Sequence, residues 1–182
     1  MIDVEAMKEY IENIYSDHPR GLIHGIEHSI RLVNDAVELG QPYQGDYDEE
    51  ILQIAGLLHG AVHYCEDGIR EWLRNQGLDA TRIDHIIAVA WESQTKNIPA
   101  SIEGKILHDA HFIEGGKEFH ILKPFIVGSE MNQPLEKTID FIRNSIKANP
   151  VYYLKESREL FEEIRCYESV FIENLEKQLC LK

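Results

Sequence analysis

Apolar side chains recur along this chain at intervals of three and four residues, the spacing that stacks them on one face of an α-helix. The first runs are Val4, Met7, Ile11 and Ile14, then Ile26, Ile30, Val33 and Val37, then Ile51, Ile54 and Leu58. The pattern continues through Ile69, Trp72 and Leu73, through Ile83, Ile86, Ile87 and Ala90, and through Leu135, Ile139, Ile142 and Ile146. A last stripe of Phe161, Ile164, Tyr167, Phe171, Leu175 and Leu179 lies opposite a row of Glu and Lys and predicts an amphipathic C-terminal helix. The fold class that follows is all-α.

Breaks fall at HPRG (18–21), GQPYQGD (40–46), NQG (75–77), KNIP (96–99) and ANP (148–150), where Gly, Pro and Asn favour turns. None has the length of a linker, so residues 1–182 are expected to form one domain. The stretch FHILKPFIV at 119–127 is β-branched and aromatic, and Pro124 in its middle predicts a broken helix or a loop.

Composition narrows the function classes. With 43% hydrophobic residues, no 18-residue apolar run and no charged-then-apolar leader, the expectation is a cytoplasmic protein with no membrane segment. A formal charge of −14, with 18 basic residues scattered along the chain, opposes nucleic-acid polymers and anionic membranes as partners. A small anionic substrate would then need a metal ion or a few placed cations beside it. Cys65, Cys166 and Cys180 lack metal-type spacing and read as free thiols of a reducing compartment.

Nine histidines supply the candidate chemistry, and they cluster. His24 and His28 lie four apart, His59 and His63 lie four apart, and His108, Asp109 and His111 fall within one turn. Residues four apart share a helix face. Three such clusters on three helices suit a buried mixed nitrogen and oxygen metal site in a bundle. His59 closes the apolar run ILQIAGLL, where a buried imidazole needs a metal, carboxylate or carbonyl partner. Asp109 follows an apolar run in the same way and needs a cation or donors. One metal ion would satisfy both.

The segments HGIEHSIRLVNDAVELG (24–40), ILQIAGLLHGAVHYCED (51–67) and IEGKILHDAHFIEGGKEF (102–119) resemble, in order and spacing, the three signature segments of the HD-domain metal-dependent phosphohydrolases. The likeness continues through PLEKTIDFI and the C-terminal helix, and it points to the compact HD hydrolases that act on nucleotides. The resemblance implies an all-helical HD-domain bundle holding one divalent metal ion, Mn, Ni, Zn, Fe or Mg. It places the metal ligands on His28, His59 and Asp109, and His63 or His111, each within one helical turn of one of these, is a candidate replacement nitrogen. It implies a small phosphorylated molecule as partner, attacked by metal-activated water while His63 or Glu66 handles the proton.

Several residues keep two readings. His63 is either a general acid or a replacement ligand, and Glu66 and Asp67 either orient water or cap a helix. Arg31 is a phosphate contact or a structural ion-pair partner, and Lys105 and Lys117 are the cations nearest the aspartate segment. Trp91 or Glu92 stands where two-metal members carry a further histidine, which disfavours a two-metal site. The family's His-Asp doublet falls on His59 and Gly60, so its carboxylate is missing here. Two functions therefore stay open: a metal-dependent phosphohydrolase, and an inactive HD module binding a nucleotide or a protein partner. A homo-oligomer is compatible with either.

Overall fold

A computed structural model describes residues 2–18 and 21–180. Among the described residues there are nine α-helices and no strand. The chain gathers into two compact units, Met1–Phe112 and Ile113–Lys182, and each is described by itself.

The first unit holds α1 (Val4–Asp17), α2 (Ile26–Gly40), α3 (Glu49–Leu58), α4 (Val62–Asn75), α5 (Ala80–Glu92) and α6, which runs Ile102–Ile113 and so ends at the unit boundary. The predicted stripes of α1 and α5 supply their buried faces, Met7, Ile11 and Ile14 and then Ile83, Ile86 and Ile87, whereas α2 buries His28, Ser29, Leu32, Ala36 and Leu39 and leaves Ile26, Ile30, Val33 and Val37 half-buried. Aspartates start three of these helices. Asp3 accepts from the Glu5 and Ala6 amides, Asp48 from Ile51 and Asp79 from Arg82, each filling part of the donor deficit of a first helical turn.

α3 packs against α2 and α5, and its closest approach is made at Gly56. A Cβ there would stand 2.6 Å from Val33 Cγ2 on α2 and 3.0 Å from Leu107 Cδ2 on α6, so only a hydrogen fits between the three helices. The start of α3 is held by charge as well. Arg82 of α5 donates to Asp48 at 2.8 Å and to Glu50 at 2.6 Å, while the buried Glu103 of α6 accepts from the Asp48 amide at 2.9 Å. Burial pushes the Asp48 carboxyl up, but the Arg82 guanidinium and the Ile51 and Glu50 amides outweigh it and hold the group below its ordinary value.

The helix expected to carry both His59 and His63 is interrupted. α3 stops at Leu58 with His59 as its C-cap, and the chain becomes helical again at Val62. The four-residue spacing therefore does not put the two imidazoles on one face. A second break follows at Cys65, whose backbone is non-helical at φ −148° and ψ 48°. Glu66 and Asp67 begin the segment after that break, as a capping pair would.

The second unit holds α7 (Gly116–Glu130), α8 (Leu135–Lys147) and α9 (Lys155–Leu179). Its core is Ile139, Ile142 and Ile172, with Phe125, Ile146 and Leu175 packed against them. The break predicted at Pro124 does not occur, since α7 runs through it. A proline inside a helix forfeits one amide hydrogen bond, at a cost of about 3 kcal/mol. Packing on both sides of it retains the helix: Ile121 is buried, Phe125 sits on the core, and the bare Gly128 lies where an added Cβ would collide with Thr138 Oγ1 of α8. Lys123 pairs with the buried Glu114 at 2.8 Å, and His120 lies 3.5 Å from the buried Glu168 of α9.

Among the described residues no helix is long and apolar enough to cross a membrane. The three cysteines are free thiols, Cys65 half-buried and the others exposed.

Candidate metal centre

Three imidazoles converge inside the first unit. His28, near the start of α2, His59, the cap of α3, and His111, in the last turn of α6, each offer a ring nitrogen, and these nitrogens all lie within 4.8 Å of one another. The rings meet at angles. Centroids are 5.3 Å apart for His28 and His59, 5.3 Å for His28 and His111, and 4.5 Å for His59 and His111, with interplanar angles of 67°, 53° and 80°. His28 and His59 are almost fully buried and His111 partly so. His24, in the loop before α2, stands edge-on to His28 at 6.0 Å between centroids.

Polar groups at the end of α5 meet two of the rings. His59 Nδ1 is 2.6 Å from Ser93 Oγ, and that hydroxyl already donates its one proton to Ala90 O at 2.6 Å. The Ser93 hydroxyl thus bridges the imidazole and the end of α5. Gln94 Nε2 lies 3.1 Å from the same Nδ1 and donates to His59 O at 2.8 Å and to Ala90 O at 3.4 Å. His111 Nδ1 faces the Ser93 carbonyl at 3.4 Å, a long contact. Outer partners of this kind orient the histidines of metal sites. The donor set fits a divalent metal ion.

The other expected site residues are distributed differently. Asp109 is fully buried, but it is not a member of the converging group; its Oδ1 lies 3.1 Å from His108 Nδ1. His63 is exposed and meets the Trp91 ring edge-on at 4.7 Å between centroids. Glu66 accepts from Arg70 Nε at 2.8 Å with one oxygen and from Trp91 Nε1 at 2.8 Å with the other. The Arg70 guanidinium, then the indole donor, holds the Glu66 carboxyl below its ordinary value. Asp67 is exposed. Arg31 donates to Ile23 O at 3.0 Å, tying down the loop ahead of α2, and Lys105 is half-buried on α6. Glu92 is taken up by the amide and hydroxyl of Ser101, which fasten the start of α6.

Ser93 and Gln94 were not legible as site residues. Their signal is slight: two polar residues closing the apolar face of α5, one of them wholly buried.

No family model matches the sequence, and no curated protein matches it. Solved structures do. An HD-superfamily hydrolase from Bacillus thuringiensis aligns with 98% of this chain and 97% of its own, with TM-score 0.76 and 18% identity. Bacillus subtilis YpgQ in complex with ADP aligns over 97% of both chains, with TM-score 0.71 and 18% identity. The Lin1889 protein from Listeria innocua aligns over 100% of this chain and 99% of its own, with TM-score 0.72 and 18% identity. This chain is therefore similar in fold to HD-superfamily hydrolases along its whole length.

Proposed function

We propose that this chain is a metal-dependent phosphohydrolase of HD type, acting on a nucleotide or another small phosphate ester in the cytoplasm, with residues 1–182 serving as one functional domain. The observation that carries the reading is the convergence of His28, His59 and His111 within 4.8 Å in a protein with the HD fold. The nucleotide assignment is supported by the likeness to a protein solved in complex with ADP. The net charge of −14 supports a small substrate over a nucleic-acid polymer.

An all-imidazole donor set favours zinc, nickel or iron over magnesium or manganese, because borderline nitrogen ligands suit the later metals. A bound ion of that kind supplies Lewis acidity, lowering the pKa of water and offsetting charge on a phosphoryl oxygen. The chain supplies the rest. His28, His59 and His111 hold the ion, and Gly60 leaves open the side on which HD enzymes place a carboxylate. His63, an exposed imidazole braced against Trp91, passes the proton to or from the substrate oxygen. Glu66 is already bonded at both oxygens, so we assign it to holding Trp91. Lys105 and Arg31 are the cations we assign to substrate phosphate.

The test is metal content by elemental mass spectrometry on protein purified without chelator, followed by phosphate release from a nucleotide panel. Near one equivalent of a transition metal, lost in His59→Ala, together with phosphate release is the expected result. A metal-free protein that releases no phosphate from any nucleotide would overturn the reading in favour of a binding module, the reading Gly60 supports.

A further inference from the structure

His63 and Glu66 belong to different backbone pieces. The turn of Val62, His63 and Tyr64 ends at Cys65, whose non-helical φ and ψ interrupt the helix before Glu66. A continuous helix holds residues three apart on one face, and across this break it does not. The exposed His63 ring is therefore oriented by what its side chain meets. Among the described residues it makes one ring contact and no hydrogen bond. The contact is with Trp91 of α5, at 4.7 Å between centroids and 85° between planes.

Trp91 is itself tied back to α4, beyond the break. Its Nε1 donates to Glu66 Oε2 at 2.8 Å, Arg70 Nε donates to Glu66 Oε1 at 2.8 Å, and Arg70 Nη1 donates to Asp84 Oδ1 at 2.6 Å. Glu66 and Arg70 are one turn apart on α4, and Asp84 and Trp91 two turns apart on α5, so each pair shares a face of its helix. The guanidinium takes two carboxylates through different nitrogens and sets these faces in register. With one oxygen of Glu66 held by Arg70, the other is presented to the indole in a fixed place.

We infer that Arg70 is a positioning residue for His63: it fixes the Glu66 carboxylate, the carboxylate fixes the Trp91 indole, and the indole orients the imidazole on the far side of the break at Cys65. The contacts carry this by themselves, and only its effect on phosphate release rests on the reading proposed above.

Arg70→Met removes the guanidinium, and Arg70→Lys keeps the charge without the fork that reaches both carboxylates. Proton NMR of the His63 ring in the full-length protein reads the contact, because a neighbouring indole displaces the signal by its ring current. The spectra are taken at about pH 8.5, well above the ordinary imidazole pKa, so that protonation does not move the signal. His63→Gln assigns it, Trp91→Leu gives its position without the indole, and far-UV circular dichroism establishes folding of each variant. Both Arg70 variants are expected to move the His63 signal most of the way to its position in Trp91→Leu. Arg82→Met, which also removes two ion pairs from α5, should leave it in place. In a phosphate-release assay Arg70→Met should lower kcat by about tenfold with KM little changed, short of the roughly 100-fold or greater loss that follows removal of an acid–base group. A His63 signal that Trp91→Leu does not move, or that keeps its wild-type position in a folded Arg70 variant, overturns the role of Arg70, as does an equal displacement in Arg82→Met. Should the signal move as expected while wild type releases no phosphate, the positioning role stands and the hydrolase reading falls.

Discussion

The Trp91 indole donates from Nε1 to Glu66 Oε2 at 2.8 Å while Arg70 Nε holds the other carboxylate oxygen at 2.8 Å. The acidic residue that follows the histidine segment is thus spent on an aromatic ring, and that ring is the one packed against His63. The Arg70 charge keeps the Glu66 carboxyl below its usual 4.5. A depressed folded value means that this contact contributes fully above about 4.5 and is lost as pH falls through the lower, folded value. With Trp72→Phe leaving Trp91 as sole tryptophan, its fluorescence should stay level from neutrality down to that range and change only below it. Glu66→Gln should abolish the acid-side step, and a step seen in both proteins would assign it to another group.

The proposed metal reading gives His111 and Asp109 different roles. His111→Ala should lower transition-metal affinity by at least about 100-fold, whereas Asp109→Asn should bind the ion within about tenfold of wild type, the range of an outer partner. Calorimetric zinc titration distinguishes them. Full loss in Asp109→Asn with retention in His111→Ala would restore the ligand set that the resemblance implies.

Pro124 interrupts the amide ladder of α7 without breaking the helix. Pro124→Ala restores a donor in an element already held by Phe125 and Gly128, so stability to urea should rise by up to about 3 kcal/mol. An unchanged or lower midpoint would mean that the proline ring itself packs.

Tyr10 stacks on Trp72 at 5.2 Å, and burial, followed by the Cys65 thiol, pushes its phenol up from 10.0 to about 12. A raised folded value contributes stability below the unfolded value of 10.0, and the contribution is lost as pH rises towards 12. Thermal unfolding followed across that window should show a falling Tm that Tyr10→Phe flattens. The same slope in the variant would point to the other tyrosines or to lysine.

The helices were legible because their apolar stripes are long and regular, and packing leaves little freedom to a stripe such as Ile83, Ile86 and Ile87. His59 reads as needing a partner because it closes an apolar run, while His28 is placed by the family resemblance. The sequence misleads where local geometry departs from a continuous helix. The turn between Leu58 and Val62 separates His63 from His59, and no pattern of residue types announces it. At Pro124 the local rule failed in the other direction, because tertiary contacts outweighed one missing hydrogen bond. His111 over Asp109 depends on where side chains meet within α6, a distinction of two residues that periodicity does not make. Ser93 meets two of the rings from the end of α5, a contact that no sequence spacing encodes.

Gly56 ties the dimensions of the histidine centre to the packing of the first unit. It lies three residues before His59, and the atoms nearest its absent side chain belong to Val33 and Leu107, on the helices that carry His28 and His111. A single methyl at this position presses on all three supports of the centre together. Gly56→Ala should cost about 1–3 kcal/mol and widen the separations among the imidazoles in the same event. Variation at position 56 cannot retune the reach of the ligands while leaving the scaffold untouched, and selection on either property acts on both.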